Sequence, residues 1–403
     1  MQFRRTVNSE VYLFTVCGGV VCYLYYLSPL HRTAGKPSPS SAYACCSMRW
    51  WRARLVPFGA LLALASLLLL LPLQDPSPPA LPRTTLVPVM APLHVQAHEP
   101  SSPVNEARPT LPPEWTSDKD DEVLPAGAVR TRDRYVPGHT RSHAELCPAR
   151  GAGTRLVVLV PSAPVYFRQR EAVRLTWGHA ARRTDITLAF MLGAPPAALR
   201  AAVDAEDTLY GDIVEGHYVD NYKNLTLKTL SMLEWFVPYC PLAARLLKAD
   251  DDMFINVDGV LRFAEAPARS RATRTVWGKV WRNGRPARNA SSKFFVPAEE
   301  FPGATYPPYA NGPAYLVSGD AAGPLLRAAL GARWLRMEDV LVTGVAAARA
   351  RVLRADAPAF LRRRSALAHA CELRAALAVH QVSYADQFDL WRKLHDPHVK
   401  CPP

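Results

Sequence analysis

Across residues 155–349, short apolar runs alternate with stretches of helical period, and this alternation constrains the fold more than anything else in the 403-residue chain. Arg155-Leu-Val-Val-Leu-Val160, closed by Pro161, is a continuous apolar run of the kind a parallel sheet buries on both faces. Residues 168–177 have a helical pattern, 186–192 a strand pattern ending at Gly193, 197–205 a helical one, and 212–214 suit a short strand. In 225–236 the apolar Leu225, Leu227, Leu230, Leu233 and Trp235 predict a helix that Pro238 should stop. A strand ending in three aspartates follows, then a short helix at 257–264, strands at 276–281 and 314–318, and helices at 321–330 and 340–349. Strands alternating with helices at this spacing predict an α/β domain with a mainly parallel sheet, whose ligands bind beyond the strands' carboxyl ends.

The aspartates would stand at such an end. In Leu246-Leu-Lys-Ala-Asp-Asp-Asp-Met-Phe-Ile-Asn256, three adjacent carboxylates sit between apolar runs, where they repel one another and lose hydration. In an extended segment Asp250 and Asp252 share one face and Asp251 takes the other. Their oxygens suit a hard divalent cation, although the triplet alone suits a solvated acidic turn as well. Phe254 occupies the second position after Asp252, which removes the spacing of a calcium-binding EF-hand loop.

The formal charge of +13 raises the question of an anionic partner. The arginines are scattered among small and apolar residues, as in Arg349-Ala-Arg351-Val-Leu-Arg354, which does not make a nucleic-acid stripe; an anionic small substrate or a basic composition accounts for them. The sequence has no G-x-G-x-x-G, no Walker A loop, no G-x-S-x-G and no H-E-x-x-H, which disfavours dehydrogenases, P-loop kinases, α/β-hydrolases and zincins. Of eight cysteines, Cys147, Cys240, Cys371 and Cys401 lie in the α/β part, widely spaced and without the pairing of a zinc site. In an oxidising lumen they allow two disulfides in three connectivities.

Two apolar runs near the N-terminus, 11–30 and 55–73, are each long enough to span a bilayer, and the second is the more uniform. Arg32, Lys36, Arg49, Arg52 and Arg54 between them should stay cytoplasmic, which sends everything after residue 73 into the lumen. The expected organisation is a cytoplasmic tail over 1–54, a transmembrane signal-anchor over 55–73, a Pro-rich disordered stem over 74–142 and a lumenal domain over 143–403. Met48, followed by Arg-Trp-Trp-Arg-Ala-Arg and the Leu-rich run, resembles a complete start, so residues 1–47 read as an alternative or mispredicted extension.

Seven blocks, taken together and in this order, resemble the β1,3-galactosyltransferases and their β1,3-N-acetylglucosaminyltransferase relatives. They are Arg170-Glu-Ala-Val-Arg-Leu-Thr-Trp-Gly178, Phe190-Met-Leu-Gly193, Asp220-Asn-Tyr-Lys-Asn-Leu-Thr-Leu-Lys-Thr229, Leu247-Lys-Ala-Asp-Asp-Asp-Met-Phe-Ile-Asn256, Tyr306-Pro-Pro-Tyr-Ala-Asn-Gly312, Glu338-Asp-Val340 and Val379-His-Gln-Val382. The resemblance covers residues 145–401, and the anchor and stem are similar to those of a Golgi type II enzyme. It implies a GT-A type, Rossmann-like fold, a UDP-sugar donor and Mn²⁺. By this similarity Asp252 is nearest the metal with Asp250 and His380 beside it, Asp250 and Asp251 serve the metal–nucleotide end, and Asp339 is the general base. A sugar hydroxyl needs such a base, because it is a poor nucleophile at neutral pH. Taken without the family, Asp339 and Glu338 would read as helix-capping acids and His380 as an ordinary core or surface histidine.

Arg170 and Arg174 stand one helical turn apart and could share a face toward the nucleotide, with Lys228 and Lys248 as further candidates. Tyr306 and Tyr309 could line an acceptor site or simply pack. Asn224-Leu-Thr226 and Asn289-Ala-Ser291 are N-glycosylation sequons that fit a lumenal domain. Cys147 precedes the first strand and Cys240 precedes the Asp-bearing one, which makes a 147–240 bridge sterically reasonable and leaves Cys371 with Cys401. The family has Gly-x-Gly-Tyr where this chain has Gly312-Pro-Ala-Tyr315, so a loop that needs positive φ at position 314 would be strained here.

These features predict transfer of galactose from UDP-galactose, with inversion, to the β1,3 position of a glycoprotein or glycolipid glycan, by a membrane-anchored enzyme that binds no nucleic acid. Transfer of N-acetylglucosamine or N-acetylgalactosamine is the alternative within the class. A catalytically inactive chaperone or scaffold, or a tethered carbohydrate-binding module, is the alternative outside it.

Overall fold

The computed structural model describes residues 111–116, 121, 123–363 and 369–401. The tail, both apolar runs and the first part of the stem lie outside them. Among the described residues no helix is long and apolar enough to cross a membrane.

The strands are β1 (His139–Arg141), β2 (Leu156–Pro161), β3 (Ile186–Ala194), β4 (Ile213–Val219), β5 (Arg245–Ala249), β6 (Phe254–Ile255), β7 (Thr275–Trp281), β8 (Tyr309–Ser318), β9 (Leu353–Asp356), β10 (Arg362–Arg363) and β11 (Ala378–His380). The main helices are α1 (Phe167–Leu175), α2 (Ala197–Tyr210), α3 (Leu225–Tyr239), α4 (Val257–Glu265), α5 (Ala322–Gly331), α6 (Ala370–Ala375) and α7 (Tyr384–Leu394). One eight-stranded sheet runs in the order β1-β4-β3-β2-β5-β8-β7-β9. Its heart, β4-β3-β2-β5, is parallel, as the alternation predicts; β8 is antiparallel to both β5 and β7, and β1 is antiparallel to β4. A smaller sheet, β10-β11-β6, carries His380 to the main sheet's carboxyl ends.

β2 shows why the pattern is legible. Val157 and Leu159 enter one apolar core with α3 and α5; Leu156, Val158 and Val160 enter a second with α1, α4 and α7. Alternate side chains feed opposite faces, and helices cover both, so every position is apolar.

Three expectations need correction. The folded region begins before residue 143: β1 forms an edge of the main sheet, Trp115 packs against the core, and Tyr135 is buried with its hydroxyl donating to Glu234. Polar, Pro-rich composition hides this strap, because a few anchoring side chains hold it rather than an apolar period. Pro238 does not stop α3, which runs on to Tyr239; a proline in the last turn removes little beyond its own N–H. The helix expected over 340–349 is a π-helical segment, Val340–Ala346, with only Ala347–Arg349 α-helical.

Candidate active site

β5 carries Lys248 and ends at Ala249. The strand does not run through the aspartates. Met253 N–H donates back to the Asp250 carbonyl at 3.1 Å, closing a turn before β6. A turn lets three like charges diverge. Asp250 and Asp252 line a cleft of about 620 Å³, whereas Asp251 turns aside to accept the Ser162 hydroxyl at 2.7 Å. Asp251 therefore does not reach the cleft that was expected to hold the nucleotide. Burial, with Asp250 and Asp252 adding to it, pushes its carboxyl up to about 6 against the Ser162 bond.

His380 lies at the end of β11, and its Nε2 stands 3.6 Å from Asp252 Oδ2, with both side chains lining the cleft. The Val382 N–H donates to the Asp252 carbonyl at 2.9 Å, which ties the late His-Gln segment to the triplet. Burial and the neighbouring Asp250 charge raise the Asp252 pKa, with His380 opposing them.

The same cleft holds Glu338 and Asp339, at the start of the π-helical segment. Asp339 accepts N–H bonds from Val340 at 2.9 Å and Gly312 at 3.1 Å, and burial raises its pKa despite them. Thr343 Oγ1 sits between the carbonyls of Asp339 and Ala310, pinning this turn to β8. Gly312 lies close to the acid pair: a Cβ there would stand 2.9 Å from Glu338 Oε1 and 3.4 Å from Asp339 Oδ2, so a side chain would push the Glu338 carboxylate aside. The neighbouring Ala314 needs no positive φ, because residues 309–318 form β8 and Ala314 pairs with Ala249. The strain expected at Pro313-Ala314 does not arise. Pro313 instead offers its carbonyl to the Asp250 N–H at 2.9 Å.

Lys248 is buried among these acids. Its ammonium donates to Asp250 and the Gly312 carbonyl and lies 3.3 Å from Glu338 Oε1. Glu338 also takes hydroxyl bonds from Thr229 at 3.2 Å and Tyr315 at 3.4 Å; burial pushes its pKa up to about 7 against Lys248.

Arg170, Arg174 and Lys228 are corrected in role. Arg170 is fully buried; it clamps Glu206 through Nε (2.8 Å) and Nη2 (2.6 Å), and its Nη1 reaches the Ala163 carbonyl (2.6 Å) and Ser162 Oγ (3.1 Å). Arg174 pairs with Glu206 and, twice, with Asp212. The helical face they share packs against α2, whose Glu206 their spacing could not reveal. Lys228 donates to Asp220 at 2.8 and 2.9 Å and to the Ser162 carbonyl. None of the three lines the cleft. Arg170, Lys228 and Asp251 all meet at Ser162, behind the cleft.

Ser162, Asp220 and Glu338 went unassigned from the sequence, since single polar residues carry no periodic signal. Asp220 and Glu338 had a cue, since each stands at the head of one of the seven blocks. Tyr222, Lys223 and Phe294 also line the cleft. Tyr306 and Tyr309 pack edge-to-face at 6.0 Å and do not line it. Both disulfides have the expected partners: Cys147 with Cys240, and Cys371 with Cys401, at Cα separations of 5.5 and 5.4 Å. Asn289 lies in an exposed turn, whereas Asn224 Nδ2 donates to the Val219 carbonyl at 2.8 Å and Thr226 is fully buried.

A carboxylate–imidazole pair and a buried acid pair, gathered in one cleft at the carboxyl ends of parallel strands, form the equipment of a group-transfer enzyme. Comparison with known proteins makes the class a hexosyltransferase. The galactosyltransferase family model matches residues 168–358. Human β1,3-galactosyltransferase 1 is 32% identical over 251 residues, covering 61% of this chain and 76% of its own. A human acetylgalactosaminyl-O-glycosyl-glycoprotein β1,3-N-acetylglucosaminyltransferase is 31% identical over 302 residues, 70% of this chain and 77% of its own. β1,3-Galactosyltransferase 5 of Pan paniscus is 37% identical over 190 residues, 46% and 62% of the two chains. The chain belongs to the family of β1,3-galactosyltransferases and their β1,3-N-acetylglucosaminyltransferase relatives.

Proposed function

We propose that the protein is an inverting β1,3-galactosyltransferase of GT-A type, anchored in the Golgi membrane with its catalytic domain in the lumen. It takes galactose from UDP-galactose in the presence of Mn²⁺ and passes it to the glycan of a glycoprotein or glycolipid. The observation that carries this reading is the meeting of Asp252, His380 and Asp339 in one cleft, from three distant parts of the chain.

The residues fit a metal. Two donor atoms each about 2.2 Å from one ion stand about 3 Å apart when adjacent in its shell, close to the Asp252–His380 separation of 3.6 Å. An oxygen and an imidazole nitrogen suit Mn²⁺, and Asp250 adds negative charge beside them. Among the described residues no group of three or more His, Cys, Asp and Glu is assembled for a metal, so substrate oxygens and water would fill the other positions. When bound, the ion would supply Lewis-acid stabilisation for the departing diphosphate.

The chain's own residues do the rest. Asp339 takes the proton of the acceptor hydroxyl as its oxygen bonds to the sugar C1; the C1–phosphate bond breaks, UDP leaves with the electron pair, and an α linkage becomes β. The N–H donors of Val340 and Gly312 hold the Asp339 carboxylate in place. Lys248 pairs with both Asp250 and Glu338, which offsets part of the negative charge gathered beside the cleft. The similarity to a named N-acetylglucosaminyltransferase over 70% of the chain supports a second donor, UDP-N-acetylglucosamine.

Purified full-length protein, assayed with UDP-galactose, UDP-N-acetylglucosamine and UDP-N-acetylgalactosamine against β-linked sugar acceptors, tests the reading. UDP release should require Mn²⁺ and acceptor and be fastest with UDP-galactose. No turnover across the panel would favour an inactive scaffold instead. Asp339→Asn should abolish transfer with UDP affinity nearly kept; Glu338→Gln with that result would move the base to Glu338.

A further inference from the structure

Beside the cleft lies a second cavity of about 220 Å³, and Lys223 and Arg336 belong to the walls of both. The two spaces therefore share a stretch of wall. The second cavity has an unusual charge. Its one acidic wall residue, Glu300, is spent on Arg336, whose Nε and backbone N–H both donate to it, at 3.0 and 3.2 Å. Arg134 and Lys223 remain, and among the described residues neither is paired with a carboxylate. Arg134 is held rather than free to wander, because its guanidinium stacks over the buried Trp334 ring at 4.8 Å. The pocket thus presents two solvent-exposed positive groups, one of them stacked on an aromatic face, that meet no described carboxylate.

We propose that this cavity is an acceptor subsite for an anionic substituent, a sulfate or a carboxylate, carried on a sugar next to the one that receives the transferred residue. This rests on the transferase reading of the cleft and names its acceptor class. Arg336 lies three residues before Asp339 and lines both spaces, so an acceptor whose hydroxyl meets Asp339 can extend past Arg336 toward Lys223 and Arg134. Arg134 offers a planar fork that fits either anion bidentately, and Lys223 at the junction adds a point charge. The cavity equals the share of about seven waters in liquid water, enough for a charged group with part of its ring. Asn224 also lines it, with its Nδ2 donating to the Val219 carbonyl.

The test uses the full-length chain and three matched acceptors: a neutral β-linked disaccharide, its sulfated form and a form carrying a uronic or sialic carboxylate. Binding is measured by titration calorimetry with UDP present, and kcat/KM by UDP release. At least one anionic form should bind and react about tenfold better than the neutral one, and whichever does so tells sulfate from carboxylate. Arg134→Gln and Lys223→Gln should each shrink the anionic-to-neutral ratio about three- to fivefold, the usual worth of a partly exposed ion pair, and salt should shrink it too. A ratio within twofold of one in the unaltered protein overturns the proposal, as does a preference that survives both substitutions. So does peptide mapping that finds Asn224 fully glycosylated. Turnover of the neutral acceptor reports separately on the transferase reading, and the binding ratio needs no turnover at all.

Discussion

Lys248 Nζ stands 3.3 Å from Glu338 Oε1 while also donating to Asp250, so a single buried ammonium joins the triplet turn to the acid pair. Burial opposes its charge, yet Asp250 and Glu338 raise its pKa well above the ordinary lysine range. Two segments 90 residues apart meet through this contact.

Lys248→Met should therefore cost about 3 kcal/mol, chiefly because it leaves the buried Glu338 carboxylate without its cation, while Asp250, a third exposed, adds little. Glu338→Gln in the same chain should recover part of the loss. Urea unfolding of the two single variants and the double one measures the coupling, and additive losses would show that the contact carries no energy.

Asp252→Asn and His380→Gln should each raise the Mn²⁺ concentration needed for UDP binding, and together they should cost less than the sum of the two, as expected of residues sharing one ion. Electron paramagnetic resonance of Mn²⁺ with UDP present reads this directly. Full Mn²⁺ affinity in the His380 variant would remove that residue from the metal.

Arg170→Met should lower stability by about 3–5 kcal/mol by leaving Glu206 buried with only part of its compensation. Donor KM in the folded fraction should hardly change, since the guanidinium does not line the cleft. A stable protein with a raised donor KM would return Arg170 to nucleotide binding.

His139 gives a pH signature. Burial, reinforced by His217, lowers its pKa to about 4 against a bond to Ser231. The unfolded chain then binds the proton more tightly, so this contribution is fully present above pH 6.5 and is lost as pH falls from there toward 4, by at most about 3 kcal/mol. Unfolding free energy of His139→Gln should be flatter with pH across this window; the same slope as the unaltered protein would assign it elsewhere.

The parallel heart of the sheet was legible because both its faces are buried, which forces continuous apolar runs whatever the tertiary detail. That Asp250, Asp252 and Asp339 belong together was legible through their blocks, the Cys147–Cys240 bridge through the strands those cysteines precede, and Cys371–Cys401 as the pair that remains. Arg170, Arg174 and Lys228 were not. A charged residue on a regular face looks the same whether its partner is a nucleotide or Glu206, and the partner lies 36 residues away from Arg170. The strap before residue 143 and strands as short as β6 and β11 were equally hidden, because two or three residues show no period.

The sequence by itself determined the α/β plan, its family and which acids could serve chemistry, since these follow from local period and residue type. Only the tertiary structure decided which charges remain available in the cleft and which are consumed in holding it. That division depends on what each side chain meets across the fold: Glu206 for Arg170, Asp220 for Lys228, and no described carboxylate for Arg134 and Lys223.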